Sequence, residues 1–367
     1  MTGNGPIWAL GTMSGTSLDG VDAALVRTDG WRILEVGRSA YRPYSDPERA
    51  RLSAALGQGP DGPDVATAAE VVERAHAELL EDFPDAEVVG FHGQTLAHWP
   101  ERGETHQAGN GDLLAAALGR PVVWDFRSAD MGLGGQGAPL APFYHFAMAK
   151  EAGLSDPVAI LNLGGVGNLT WLDPTIEKPE DIGACLAFDT GPGNAPLDDL
   201  VKARRGQPFD TDGALAGTGT VDAALVARVL ERPFFFKRPP KSLDRNDFAD
   251  LMDVVAPLDD ADAAATLAAI TVATVAQGMT HAPCPPVRVY VTGGGRKNPV
   301  LMKRLADTVP CAVDTVETLG HDGDMLEAEA FAFLAVRVLR GLPTSAPTTT
   351  GVAVPVGGGR IARPQNG

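Results

Sequence analysis

Gly11-Thr12-Met13-Ser14-Gly15-Thr16-Ser17-Leu18-Asp19-Gly20-Val21-Asp22 is the stretch on which the reading of this chain turns. An apolar run, Ile7 to Leu10, leads into it, and alternating apolar residues from Val21 to Val26 lead out. The pattern predicts a strand, a tight polar turn and a returning strand. Glycine lets a backbone approach a ligand closely and adopt positive φ. Clustered N–H and hydroxyl donors suit phosphate oxygens, and carboxylates beside them can hold a metal ion or a water. An ordinary hairpin turn draws on the same residue types. The density of hydroxyls and acids here favours a phosphate site.

Working outward, a third strand is expected near Arg32 to Tyr41 and an amphipathic helix over Val65 to Phe83. A short strand, Glu87 to Phe91, runs into His92-Gly93-Gln94-Thr95; Asn110 is placed to cap a helix from Gly111 to Leu118. A strand at Pro121 to Phe126 is followed by Arg127 and by a glycine-rich stretch, Gly132 to Pro139, read as a flexible linker or an active-site loop. The pattern then begins again. Val158 to Leu163 reads as a strand, Gly164 to Asn168 as a glycine-rich turn, and Leu169 to Leu172 as a return. Val287 to Val291 ends in Thr292-Gly293-Gly294-Gly295, before a helix from Pro299. Two similar α/β halves with a cleft between them are the expectation. α/β proteins in general also place glycine after strands. The boundaries expected are residues 1–130 and 131–342, with the Thr-, Pro- and Gly-rich tail 343–367 packed on the first domain. The apolar helix Glu327 to Arg340 is expected to be buried, between the halves.

Composition narrows the function. A chain of 367 residues suits two domains. A net charge of −17 argues against nucleic acid and anionic membrane partners. Cys185, Cys284 and Cys311 are too few and too scattered for a disulfide framework or a zinc site, which fits the cytoplasm. Ala263 to Val287 carries no Asp, Glu, Lys or Arg, but its Ala, Thr and Pro content reads as a buried helix and not as a membrane span. The P-loop, the dinucleotide fingerprint, the nucleophile elbow and the H-E-x-x-H motif are all absent from the sequence.

Three further segments carry chemistry. In Phe188-Asp189-Thr190-Gly191-Pro192-Gly193-Asn194 an aspartate closes an apolar run and opens onto glycines. A carboxylate so backed can act as a general base, and an aspartate that merely caps a turn would look the same. Gly293, Gly294 and Gly295 precede a helix N-terminus, with Arg296 and Lys297 adding positive charge. His92, Gln94, Thr95 and Arg127 carry groups suited to sugar hydroxyls or a carboxylate. Asp324 and Glu327, at the start of a helix, either take part in chemistry or only complement the helix dipole.

Together these residues resemble the anhydro-N-acetylmuramic acid kinase family. The likeness runs through G-T-M-S-G-T-S-L-D-G-V-D at 11–22, H-G-Q-T at 92–95, D-F-R at 125–127 and G-Q-G-A-P at 135–139. It continues in N-L-G-G-V-G-N at 162–168, D-T-G-P-G-N at 189–194, G-G-G with Asn298, and D-x-x-E-A at 324–328. Lys241 to Asn246 is similar to the family's S-T-G-R-x-x-F segment, in which Asn246 falls, with Leu243 and Asp244 departing from it. The resemblance implies a two-domain actin/hexokinase-like fold, a duplicated ribonuclease H-like unit. It implies ATP-dependent opening of 1,6-anhydro-N-acetylmuramic acid with phosphorylation of O6, giving N-acetylmuramic acid 6-phosphate and ADP in cell-wall recycling and amino-sugar catabolism.

In the same terms Asp189 is the catalytic base and Glu327 orients water or sugar. Gly15, Thr16, Ser17, Leu18, Asp19, Gly20, Val21 and Asp22 cradle the ATP phosphates with Mg²⁺, for which Asp19 is the candidate contact. Gly164 and Gly165 face that loop; Gly293, Gly294, Gly295 and Asn298 meet the adenosine end. Gln94, Thr95, Arg127 and Gly191 are placed on the sugar side, and a homodimer is implied. Three other readings remain: another sugar or acetate-type kinase of the superfamily, an ATP-binding regulator, and a non-catalytic sugar-binding module.

Overall fold

The structure is a computed structural model that describes residues 5–15 and 17–364. The chain divides into two compact units. The first is built from the chain up to Leu154, Lys178–Glu180 and the chain from Met325 onward; the second from Ser155–Glu177 and Asp181–Asp324.

The first unit holds a mixed sheet. Its strands are β1 (Ile7–Ser14), β2 (Gly20–Thr28), β3 (Ile33–Pro43), β4 (Val88–Trp99), β5 (Glu104–Ala108), β6 (Val122–Trp124) and, from the tail, β12 (Arg360–Ala362). They lie in the order β3-β2-β1-β4-β6-β12, with β5 beside β4. β1, β2 and β3 are antiparallel neighbours, while β4 runs parallel to both β1 and β6. The second unit holds β7 (Val158–Leu163), β8 (Val166–Leu172), β9 (Cys185–Pro192), β10 (Arg288–Thr292) and β11 (Ala312–Thr315). Their order is β9-β8-β7-β10-β11, again with the first three antiparallel and the next two parallel. The same strand order and the same mixture of directions thus occur twice, as a duplicated ribonuclease H-like, actin/hexokinase-like fold requires.

One helix covers each sheet closely. In the first unit the Leu326–Leu339 helix packs on β1, β2 and β4. Gly11 and Gly90 sit side by side across β1 and β4. A Cβ at Gly11 would run into the Ala328 carbonyl and the Ala332 amide, and one at Gly90 into the Phe331 carbonyl. Glycine at both positions lets the helix backbone rest directly on the sheet. The helix is buried, as expected, and the side-by-side glycines let it lie on the first sheet, within the first unit. In the second unit the Asp260–Met279 helix packs on β8 and β9. It is long and apolar enough to cross a membrane by length and composition, but 72% of its apolar window is buried in the protein.

The expected division at residue 130 is corrected. Residues 131–154 and the chain from 325 belong to the first unit. The glycine-rich stretch after Met131 is a tied loop and not a linker. The buried Asp130 carboxylate accepts the Gly137 N–H at 2.7 Å, the Ser345 hydroxyl at 2.5 Å and the Thr350 hydroxyl at 2.6 Å. Gln136 N–H donates to the Thr350 carbonyl at 2.8 Å. These bonds hold the loop against the tail segment, whose β12 pairs with β6.

Candidate active site

In the first unit the turn from Gly15 to Asp19 is set by its surroundings. Thr16, expected in the phosphate cradle, lies outside the described residues. Leu18 takes φ +58°, uncommon for a branched side chain. Its N–H donates to the Gly15 carbonyl at 3.1 Å, and its side chain is buried in the core. Burial of that side chain offsets a strain of order 1–3 kcal/mol. Leu18 and Val21 are therefore anchors of the loop and offer a ligand no side chain. Gly20 is a packing glycine, since a Cβ there would meet the Arg42 carbonyl and the Tyr41 ring. Ser17 and Asp19 are exposed, and a Cβ at Gly15 would meet nothing closer than Ser17 Oγ at 3.6 Å.

Gln94 was placed on the sugar side; the structure corrects this. It is 0% exposed, inside β4. Its Oε1 accepts the Ser14 hydroxyl at 2.5 Å, and its Nε2 donates to the carbonyls of Gly15 at 3.1 Å and Thr95 at 3.2 Å. Gln94 braces the turn from below. Thr95 keeps a half-buried hydroxyl that accepts from Gln107 Nε2 at 3.3 Å.

Arg127 and His92, alike in the sequence only in the chemistry of their side chains, form a unit. Arg127 Nε and Nη2 both face His92 Nε2, at 3.2 and 2.9 Å, and Nη1 donates to the Gly137 carbonyl at 2.6 Å. With Nε2 accepting, His92 Nδ1 carries the proton and donates to the Gly93 carbonyl at 2.8 Å. Burial, then the Arg127 charge, hold His92 well below the usual histidine range, so the ring is neutral. Burial lowers Arg127 itself to about 10, opposed by Glu327 and Asp130, so it stays cationic. Glu327, exposed at the start of its helix, still loses enough hydration to the protein around it to rise above the usual glutamate range, against the pull of Arg127.

In the second unit Asp189 lies inside β9, not at its end. Across β8 the register steps from Gly167–Gly191 to Asn168–Asp189, which leaves Thr190 as a bulge. Thr190 Oγ1 donates to the Gly167 carbonyl at 3.0 Å and closes it. A bulge re-aims the side chains beside it. Here it puts Asp189 opposite Asn168, whose Nδ2 donates to Oδ1 at 2.7 Å. The Leu243 N–H donates to Oδ2 at 2.7 Å, and the Asp189 N–H donates to the Lys241 carbonyl at 2.9 Å. Burial raises the carboxyl to about 6, against both hydrogen bonds and the Lys241 charge. Asp189 is half-buried, so water can still reach it. Asn168 stood in a quoted motif without a role, and the strand spacing of β8 and β9 was the signal that pairs it with Asp189.

The glycines of this unit divide by what surrounds them. Gly164 and Gly165 form the two-residue link between β7 and β8, and their carbonyls accept the N–H groups of Asn194 at 2.7 Å and Gly193 at 3.0 Å. Gly191, assigned to the sugar, lies against Thr274, which a Cβ would approach to 2.7 Å. Gly293 takes φ +77° and Gly295 abuts Leu163, whereas a Cβ at Gly294 would meet nothing within 4 Å. Asn298, assigned to the nucleotide, caps the Pro299–Thr308 helix through Oδ1, which accepts from Val300 N at 3.0 Å and Leu301 N at 3.1 Å. Arg296 and Lys297 supply no spare positive charge. Arg296 pairs with Glu317 at 2.7 Å and Asp324 at 2.9 Å, and Lys297 with Asp324 at 2.7 Å.

A family model described as anhydro-N-acetylmuramic acid kinase matches residues 8–363. The chain belongs to the anhydro-N-acetylmuramic acid kinase family. It is 64% identical over 365 residues to the anhydro-N-acetylmuramic acid kinase of Cereibacter sphaeroides, covering 100% of this chain and 98% of that protein. It is 59% identical over 360 residues to the protein of the same name from Roseobacter denitrificans, covering 98% and 95%. Among solved structures it is similar to a ligand-bound xylulose kinase from Lactobacillus acidophilus at 10% identity and a TM-score of 0.45, covering 98% and 94%. Family membership spans both units, so the bulge at Asp189 and the braced turn at Gly15 belong to one kinase chain.

Proposed function

We propose that this chain converts 1,6-anhydro-N-acetylmuramic acid, water and ATP into N-acetylmuramic acid 6-phosphate and ADP, in the cytoplasm, as part of cell-wall sugar recycling. The observation that carries the reading is Asp189. It is a carboxylate fixed through both oxygens, raised by burial to about 6 and so ionised at neutral pH. In this reading it takes a proton from water as the water oxygen bonds to the anomeric carbon. The bond from that carbon to O6 breaks, O6 takes the γ-phosphoryl group, ADP leaves, and the proton on Asp189 passes to solvent. The base is used as in an inverting glycosidase, and phosphoryl transfer draws on positioning and charge neutralisation.

In the first unit, the Ser17 and Asp19 side of the turn and the open backbone at Gly15 are proposed to meet the ATP phosphates; in the second unit, the open backbone at Gly294 is proposed to meet the adenosine end. The described residues contain no group of three or more His, Cys, Asp or Glu that could hold a metal. That suits Mg²⁺ carried by nucleotide phosphates with Asp19 as a protein contact, since Mg²⁺ commonly takes one or two carboxylates and keeps several waters. Arg127, oriented by His92 and Gly137, is the proposed partner for the substrate's carboxylate, and Glu327 for its water or hydroxyls. The test is a substrate comparison with ATP. Turnover of the anhydro sugar supports the reading; turnover of N-acetylmuramic acid alone, or ATP consumption independent of sugar, overturns it.

A further inference from the structure

We propose that Lys241 is a positioning residue that holds Asp189 in its ionised form, and that residues 241–243 are the clamp through which it acts. The inference rests on reading Asp189 as the base. The clamp is a short piece of chain running beside β9: the Lys241 carbonyl takes the Asp189 N–H, and the Leu243 N–H takes Asp189 Oδ2. Both contacts are made by backbone, so the departures of Leu243 and Asp244 from the family pattern leave the clamp intact.

Lys241 is 5% exposed, an uncommon place for an ammonium group. Its Nζ lies 4.5 Å from the Phe234 ring centroid and 5.9 Å from that of Phe188, the residue preceding Asp189, and donates to the Phe234 carbonyl at 3.4 Å. Aromatic faces can hold a cation that has lost its water. Burial lowers Lys241 to about 8, opposed by the charge of Asp189. Other charged or titratable groups act on the pair: Asp247 pushes Asp189 toward its protonated form, and Lys237 lies near Lys241. His281, which meets Phe188 edge-on at 5.8 Å, is lowered by burial and then by Lys241 and Arg238. Lys241 is thus the cation that, after the hydrogen bonds from Asn168 and Leu243, opposes burial and Asp247 at the base.

The test is the pH profile of kcat/KM for the anhydro sugar at saturating ATP, in the full-length chain. Lys241→Met is expected to move the acid limb up by about one pH unit, within the range for loss of a neighbouring opposite charge. At pH 6 the variant then loses several-fold in rate, while its plateau above pH 8 stays close to wild type. Lys241→Arg is expected to keep the limb in place. Asp247→Asn is expected to move it down, a readout that survives if Lys241→Met folds poorly. A limb that stays put in Lys241→Met, or in Lys241→Gln where the methionine variant folds poorly, overturns the inference. Loss of an alkaline limb near pH 8 with a raised KM for ATP also overturns it, because Lys241 would then be a ligand contact. Asp189→Asn run in parallel separates the two claims. If it retains full activity, the base assignment fails and this inference with it; if it is inactive and the limbs do not move, only this inference fails.

Discussion

At the residue scale the chemistry concentrates on Asp189 and its two hydrogen bonds. A placed general base contributes roughly 10²–10⁴-fold, so Asp189→Asn is expected to lower kcat by that factor with little change in the KM for ATP, in steady-state kinetics. The same substitution has a predictable effect on stability. The folded pKa, about 6, lies above the ordinary aspartate value of 3.8, so the folded state binds the proton more readily than the unfolded one. The ionised carboxylate therefore costs stability at neutral pH, and that cost fades as pH falls from about 6 to 4. Asp189→Asn is expected to raise the unfolding free energy read from urea denaturation at pH 7.5 by on the order of 1–3 kcal/mol, and to lose the advantage at pH 4. The type and place of this residue were legible in the sequence because it closes an apolar run. Its exact setting was not, because a bulge at Thr190 depends on cross-strand register that a single strand does not reveal.

At the scale of elements, glycines that look alike in sequence do two different jobs. Gly11, Gly90 and Gly191 are required by a helix lying on a sheet, whereas a Cβ at Gly294 would meet no protein atom within 4 Å. Gly90→Ala is expected to destabilise the first unit by about 1–3 kcal/mol or more, the cost of forcing atoms into a packed interface, as read by thermal melting. Gly294→Ala is expected to leave the melt unchanged and to raise the KM for ATP. The strand–turn–strand units were legible from alternation and glycine placement. The sorting of glycines was not, since it depends on which helix crosses which strand. Gln94 failed for a related reason: β4 runs on to Trp99, so the amide expected at a strand end is inside the sheet and bonds to the β1–β2 turn.

At the scale of the whole molecule, the repeated strand order was legible because each half begins with a glycine-linked hairpin. The division between the halves was misplaced because the Leu326–Leu339 helix and the tail return to the first unit, a long-range event that local composition does not announce. Acid sensitivity also belongs to this scale. His76, 0% exposed in the first core, donates through Nδ1 to the Val72 carbonyl, and burial lowers its pKa to about 4. The folded state therefore prefers the neutral ring, and stability is lost as pH falls from about 6.5 toward 4. The shift corresponds to about 3 kcal/mol as an upper figure. Unfolding by urea at pH 7 and pH 5 is expected to show this loss, and His76→Leu to flatten it.

The central claim is that one chain couples water attack at the anomeric carbon to phosphoryl transfer onto O6. Mass spectrometry of the product made from the anhydro sugar and ATP in ¹⁸O-water tests it most directly. The expected product carries one ¹⁸O on the anomeric carbon and an unlabelled phosphate ester at O6. A phosphorylated product without ¹⁸O at that carbon would contradict it.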